Sequence, residues 1–180
     1  KGWRDAGAQL SFFSPLADEP APKEAQYIFL PGGYPELHAG QLACAAKFKA
    51  SLARHAALGT PIYGECGGYM ILGEALTDAD GVTHQMAGLL ALETSFAQRK
   101  LHLGYRHLQA DLGPMTGRWM GHEFHYATTV KATGTPLFAT HDAEGTTLDP
   151  MGLIHDNVSG SFGHIIDTAS TGLASPKPQA

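Results

Sequence analysis

Residues 61–72 read PIYGECGGYMIL, and their pattern indicates the class of fold that we expect. The run 61–63 predicts a short buried strand, and residues 69–72 predict the start of a helix. Glycines between them allow a tight strand-to-helix turn that exposes its central side chain, Cys66. A thiol at such a turn is typical of a nucleophile, and a buried structural cysteine is the alternative.

The residues before this stretch extend the same pattern. Segments 9–14 and 27–30 are β-prone and predict two strands, and 41–58 has helical spacing and ends at Gly59. Strand, helix, strand and helix in this order imply a parallel sheet. Residues 1–6 resemble the end of a helix stopped at Gly7, without an initiator methionine, so we expect an excised piece of a longer protein.

The second half of the chain has a different character. Its β-like pieces are separated by Gly, Pro and Asp turns and lie at 87–92, 103–110, 118–130 and 137–141, with a further small-residue turn and apolar stretch at 156–166. We therefore predict an α/β fold, a mostly parallel sheet with helices on both faces and an antiparallel excursion in the second half. The predicted domain spans 1–168, and 169–180 is predicted to be a disordered tail.

Composition narrows the classes of function. The chain has 180 residues, 43% of them hydrophobic, and a net charge of −5 from scattered charges, which suits one domain acting on a small molecule. Nothing indicates nucleic-acid binding, a membrane span or a signal peptide. Two cysteines in unlike contexts favour a reducing cytoplasm. No phosphate-binding loop of the G-x-x-x-x-G-K-[ST] kind is present, so this chain alone should not hydrolyse ATP.

Two glycine turns could hold an oxyanion beside Cys66. The amide of Gly67 follows the thiol directly, and Gly32 and Gly33 follow strand 27–30 at the carboxyl edge of the predicted sheet, where ligands bind in such folds. A helix N-terminus and a neighbouring histidine would favour the thiolate. For Gly32 and Gly33 taken alone, an ordinary turn is the alternative.

Ten histidines offer candidate bases. The segment GHEFHY at 121–126 is similar to a zinc signature, but its histidines are three residues apart, and on a strand His122 and His125 face opposite sides. We therefore expect no metal site. His164, in GSFGH at 160–164, has room around its imidazole, although composition alone favours a histidine with a purely structural role.

Five motifs in order resemble one family: GGYPE at 32–36, GECGGYM at 64–70, GYR at 104–106, GHEFHY at 121–126 and GSFGH at 160–164. The resemblance is to the C-terminal glutaminase domain of the cobyrinic and hydrogenobyrinic acid a,c-diamide synthases, and it covers about residues 7–167. It implies a flavodoxin-like class I glutamine amidotransferase fold. The sister cobyric acid synthases are the closer alternative.

The resemblance also implies roles for individual residues. Cys66 would attack glutamine to form a γ-glutamyl thioester, and His164 would move the protons. Gly32, Gly33 and Gly67 would bind glutamine and its oxyanion. Ammonia would pass to an N-terminal synthetase domain that uses ATP and Mg²⁺ to amidate a corrinoid, while this domain needs no cofactor of its own. A homodimer is left open.

Two departures from the family pattern qualify this expectation. Class I amidotransferases carry a Glu two residues after the catalytic His, but here that position is Ile166, so we expect a dyad, with Glu123 or Asp167 as candidate supports. The chain is also expected to lack the family's first strand. Two other functions stay open: a non-catalytic thiol sensor or binding module, and a cysteine peptidase or esterase of similar topology.

Overall fold

The computed structural model describes residues 2–169. Its four α-helices are α1 (Gly2–Asp5), α2 (Ala39–Cys44), α3 (Ala46–Ala57) and α4 (Gly67–Leu72). The first six strands are β1 (Ile28–Leu30), β2 (Ile62–Glu65), β3 (Ala75–Thr77), β4 (Thr83–Gln85), β5 (Leu92–Ser95) and β6 (His102–Ala110). The other six are β7 (Gly117–His125), β8 (Thr128–Ala132), β9 (Thr135–His141), β10 (Thr147–His155), β11 (Val158–Ser161) and β12 (Gly163–Thr168).

The main sheet has eight strands in the order β1-β2-β11-β10-β9-β6-β7-β12. Strands β1, β2 and β11 are parallel, and every following neighbour pair is antiparallel. The α/β fold and its antiparallel second half are confirmed. A mostly parallel sheet was expected, however, and the antiparallel part is the larger. Short polar turns at 111–116 and 142–146 join the long strands, and turns of this length connect antiparallel neighbours.

The core lies on both faces of this sheet. Residues of α2, α3 and α4 pack on one face, where Ile28 and Leu30 point, while Phe29 between them points to the other. That other face is covered by residues of β6 and β9, because the long antiparallel strands curl over it. Within residues 2–169 only α1 adds a helix there, through Trp3 packed edge-on against Phe29. The expectation of helices on both faces is therefore met only by this one turn.

A second, four-stranded sheet follows α4 in the order β4-β3-β5-β8. Its apolar residues Leu76 and Leu92, with Phe96 directly after β5, join the same core as the helices. This sheet therefore holds α4 from the side opposite the parallel strands.

Helix α4 lies unusually close to the parallel strands because two glycines have no side chain. A Cβ on Gly64 would lie 2.7 Å from the carbonyl carbon of Gly68, and a Cβ on Gly68 would collide with the carbonyl oxygen of Leu30. The close approach brings the loop after β1 against the first residue of α4. These are the two places where the sequence predicted oxyanion donors.

Several predicted elements have different bounds in the structure. The expected helix 41–58 is two helices, with a break at Ala45 (ψ 72°), and the carboxylate of Asp18 accepts the amide of Phe48 in the first turn of α3 (2.9 Å). Segment 9–14 is not a strand, and its Phe13 packs on Phe48 instead. Segment 87–92 is mostly irregular, and β3, β4 and β10 were not anticipated.

The chain termini follow the expectations in part. Helix α1 ends before Gly7, which has φ of 87° as a helix-ending glycine should. The predicted tail, apart from residue 169, lies outside the described residues. No helix in the described part of the chain has the length and apolar character needed to cross a membrane.

Candidate active site

Cys66 occupies the sharp turn between β2 and α4, as predicted. Its backbone has φ 47° and ψ −103°, a sparsely populated region that strains a residue with a side chain. The turn is held by the Cys66 amide, which donates to the carbonyl of Ser161 on β11 (2.8 Å). The thiol lies 3.9 Å from the carbonyl oxygen of Phe124. The second cysteine, Cys44, is exposed on α2 and has no comparable setting.

Gly32 lies against both predicted reacting residues. A Cβ at this position would be 2.7 Å from Cε1 of His164 and 3.7 Å from Cβ of Cys66. The structure therefore brings Cys66 and His164 together, from positions 98 residues apart in the chain, under the loop that follows β1. Gly32 therefore leaves room for the imidazole, and the oxyanion role that its motif implies stays a prediction.

Gly33 and Gly67 meet on the other side of this loop. A Cβ on Gly67 would lie 2.8 Å from the amide nitrogen of Gly33, so the two backbones are in contact. Within residues 2–169, neither amide donates to a carbonyl in a turn, loop or cap. Both N–H groups are thus free to bind a negative oxygen beside the thiol.

His164 is held in its charged form. It lies on β12 opposite His122 of β7, with the two rings 5.0 Å apart, and its Nδ1 is 3.4 Å from Oε2 of Glu65. Hydrogen bonding to Cys66 first, and to Glu65 second, raises the pKa of His164 to about 10, although burial alone would lower it. Because α4 has only six residues, this imidazolium rather than the helix dipole is the stronger stabiliser of a thiolate at Cys66.

The two supports suggested for His164 have other partners. Nε and Nη2 of Arg106 both donate to Oε2 of Glu123 (3.0 and 2.8 Å). The other carboxylate oxygen of Glu123, Oε1, lies 2.8 Å from Nε2 of His125. Strand alternation puts Glu123 on the face opposite His122, away from the imidazole of His164. Asp167 is exposed, and its carboxylate accepts the amide of the next residue. The structure therefore places neither carboxylate beside His164.

The carboxylate that does reach His164 belongs to Glu65, which sequence reasoning did not single out. A usable signal was present: a charged residue ends a short apolar strand directly before the nucleophile. Alternation along the strand turns its side chain away from the helix-facing side, but the sequence does not show that β12 returns to that spot.

A second cluster of polar groups adjoins the site. Donor atoms of His102, Glu123 and His125 lie within 4.8 Å of one another, a spacing that could suit a metal ion. The cluster is already an ion-pair network, however: burial would raise the pKa of Glu123, but His125 and Arg106 outweigh it and lower that pKa. A divalent cation would have to approach against the positive charge of Arg106. As predicted, His122 and His125 point to opposite sides of β7.

Aromatic stacking fixes the turn that carries His164. The ring of Phe162, two residues earlier, stacks on His125 at 3.7 Å and meets Tyr69 of α4 edge-on at 5.3 Å. His102 stacks on the far side of His125 at 4.5 Å. The β11–β12 turn is therefore clamped between α4 and β7, which fixes the direction in which β12 leaves.

Solved structures identify the class to which this fold belongs. A glutamine amidotransferase from Thermotoga maritima superposes with a TM-score of 0.56 over 90% of this chain and 66% of its own, at 15% identity. The PurLQS structure from the same organism gives a TM-score of 0.54 over 79% and 70%, at 23% identity. At these identities the likeness concerns the fold alone, which is that of a glutamine amidotransferase.

Sequence comparison specifies the family within that class. Residues 4–171 match the model of the CobB/CobQ-like glutamine amidotransferase domain, and the chain belongs to this family. It is 56% identical over 169 residues to a hydrogenobyrinate a,c-diamide synthase of Brucella anthropi, and 53% identical over 170 residues to one of a Sinorhizobium species. Each match covers 93% of this chain and 39% of the relative, so the chain spans about two fifths of their length.

Proposed function

We propose that this chain hydrolyses the side-chain amide of glutamine and supplies the ammonia for an amidation reaction. The observation that carries the proposal is the juxtaposition of Cys66, on its strained turn, with His164, across the space left open by Gly32. Membership of an amidotransferase family agrees with this chemistry.

The proposed reaction proceeds in two halves. The thiolate of Cys66 attacks the amide carbon of glutamine, and the developing oxyanion receives hydrogen bonds from the amides of Gly33 and Gly67. The C–N bond then breaks, and the imidazolium of His164 gives its proton to the departing nitrogen, so that ammonia leaves and a thioester remains. Water attacks the thioester, His164 takes the proton from this water, and glutamate is released with the thiolate restored.

We also propose a corrin ring as the acceptor of the ammonia. The support is that relatives 53–56% identical to this chain are named hydrogenobyrinate a,c-diamide synthases. ATP and Mg²⁺ would act in a synthetase part that activates the a and c carboxylates, since this sequence has no phosphate-binding loop. Such an assembly would work in the cytoplasm.

Ammonia release from glutamine tests the glutaminase proposal directly. We expect Cys66→Ala to abolish release in the complete protein that contains this chain, and Cys44→Ala, at an exposed position on α2, to leave the rate unchanged. A glutamine-like diazoketone should label Cys66 stoichiometrically and leave Cys44 free. Equal rates for Cys66→Ala and the unmodified protein would refute the proposal. A thiol that reacts with peroxide but not with the diazoketone would favour a redox module.

A further inference from the structure

Glu65 carries a carboxylate that is almost completely buried. It is the last residue of β2, its side chain is only 12% exposed, and it directly precedes Cys66. Burying a carboxylate is costly unless a positive group or hydrogen-bond donors compensate for the lost water. Within residues 2–169, the basic group that lies within 4.0 Å of this carboxylate is His164, at 3.4 Å from Nδ1.

The topology of the sheet explains how Glu65 and Cys66, neighbours in the chain, both reach the imidazole of His164. Gly64 and Glu65 alternate along β2, so Gly64 packs against α4 and Glu65 points to the opposite face. Glu65 pairs in register with Ser161 of β11, and the chain then turns at Phe162 into β12. This turn brings His164 to the end of β2, where its Nδ1 lies 3.4 Å from Oε2 of Glu65 and its ring also interacts with Cys66.

We propose that Glu65 is the positioning residue of His164: its carboxylate accepts the Nδ1 hydrogen, fixes the orientation of the ring, and leaves Nε2 for the thiol. This inference rests on the proposed glutaminase function. The position at which amidotransferases carry a Glu, Ile166, is 60% exposed here and lies on the outer part of β12. Glu65 supplies the same chemistry from a different strand, adjacent to the nucleophile.

The groups around this pair define the expected titration. Cys66 and Glu65 both raise the pKa of His164, to about 10, while burial lowers it, and the ring of His122 lies 5.0 Å away on β7. The charge of Glu65 also acts on Tyr63 and Tyr27, whose pKa values are raised by burial first and by this charge in addition. These phenols stay neutral near pH 7, so among the described residues His164 is the group that forms an ion pair with Glu65.

Glu65 should affect how the rate of ammonia release depends on pH. The reaction needs the imidazolium, so the rate falls as pH rises through the pKa of His164. Removing the negative charge of Glu65 weakens the effect of one of the two residues, Cys66 and Glu65, that raise this pKa. The alkaline limb of the rate profile must therefore move to lower pH in Glu65→Gln.

The test compares Glu65→Gln and Glu65→Asp with Glu123→Gln in the complete protein, using kcat, KM and the pH profile of ammonia release. Glu123→Gln is the matched control, because it neutralises a buried carboxylate on β7, the strand paired with β12, and the partners of this carboxylate are Arg106 and His125. We expect Glu65→Gln to lose about 100-fold or more in kcat with little change in KM, by analogy with loss of an orienting carboxylate in other triads. Its alkaline limb should shift down, and Glu65→Asp should recover part of both.

A measurement independent of turnover separates this inference from the proposed function. The pKa of His164 is read by NMR of histidine-labelled protein, assigned with His164→Asn, and should fall in Glu65→Gln but not in Glu123→Gln. An unchanged His164 pKa and alkaline limb in Glu65→Gln, or a shift produced by Glu123→Gln instead, would overturn the role of Glu65. If the unmodified protein releases no ammonia, the glutaminase proposal fails, and the NMR titration still decides whether Glu65 holds the imidazolium.

Discussion

Replacement of Gly32 by alanine should separate activity from stability. The new Cβ would lie 2.7 Å from Cε1 of His164, whereas an ordinary contact needs at least 3.4 Å, so the ring must move by about 0.7 Å. The obstructed atom is the end of a side chain, and Gly32 is exposed, so the strain can be relieved by rotating the imidazole.

We therefore expect the free energy of unfolding of Gly32→Ala to change by less than about 1 kcal/mol, because the gain from a less flexible unfolded chain offsets the residual strain. A displacement of this size in a reacting group costs up to about 100-fold. The kcat/KM for ammonia release should fall by roughly that factor, with the loss mainly in kcat.

Gly40→Ala is the matched control. Gly40 lies in helix α2, where an added Cβ would meet only the His84 ring at an ordinary 3.7 Å, so it should keep full activity and gain slightly in stability. Urea unfolding and steady-state kinetics on both variants complete the test. A folded Gly32→Ala protein with unchanged kcat/KM would show that the imidazole does not need the space that this glycine leaves.

Three further predictions concern the scaffold. Gly68→Ala should lower the free energy of unfolding, measured by urea titration, by about 3 kcal/mol. Its Cβ would collide with the carbonyl oxygen of Leu30, which is backbone in a packed strand and cannot rotate away. An unchanged urea midpoint would contradict the close packing of α4 on the sheet. Glu123 has a lowered pKa, so its contribution to stability is present above the ordinary carboxyl pKa and is lost as pH falls through the lowered value. Arg106→Gln removes one of the groups that lower this pKa, so acid unfolding should begin at a higher pH. Circular dichroism during acid titration measures this. Phe162→Leu should cost about 1 kcal/mol of stability through the lost ring contacts and lower kcat more than it raises KM, and a pure KM effect would argue against the clamped turn.

The local part of the site could be predicted from the sequence because it depends on near neighbours. The order Gly64, Cys66, Gly67 after a short apolar run predicted a strand-to-helix turn, and Cys66 has the positive φ that such a turn imposes. Alternation on a strand likewise predicted that His122 and His125 would face opposite sides. Such periodicities are set by backbone geometry within a few residues, so no knowledge of the fold was needed.

Long-range contacts decided what local patterns could not. The helix expected over 41–58 is interrupted because Asp18, from a distant loop, accepts the Phe48 amide and starts a new helix there. Glu123 is not available to support His164, because the pairing of β6 with β7 brings Arg106 alongside it and the guanidinium binds its carboxylate. Strand pairing decides which acidic side chain forms an ion pair with which basic one, and the sequence does not reveal that pairing.

The sequence alone is enough to predict that Cys66 lies on a tight turn with glycines around it, and its motifs indicate the family. What surrounds the thiol depends on the fold: Gly32 leaves space for an imidazole, β12 brings His164, and Glu65 is the carboxylate partner of that histidine. The physical reason is that a turn's conformation follows from the residues that form it, whereas the charge state of a histidine depends on groups that meet only when distant strands pair.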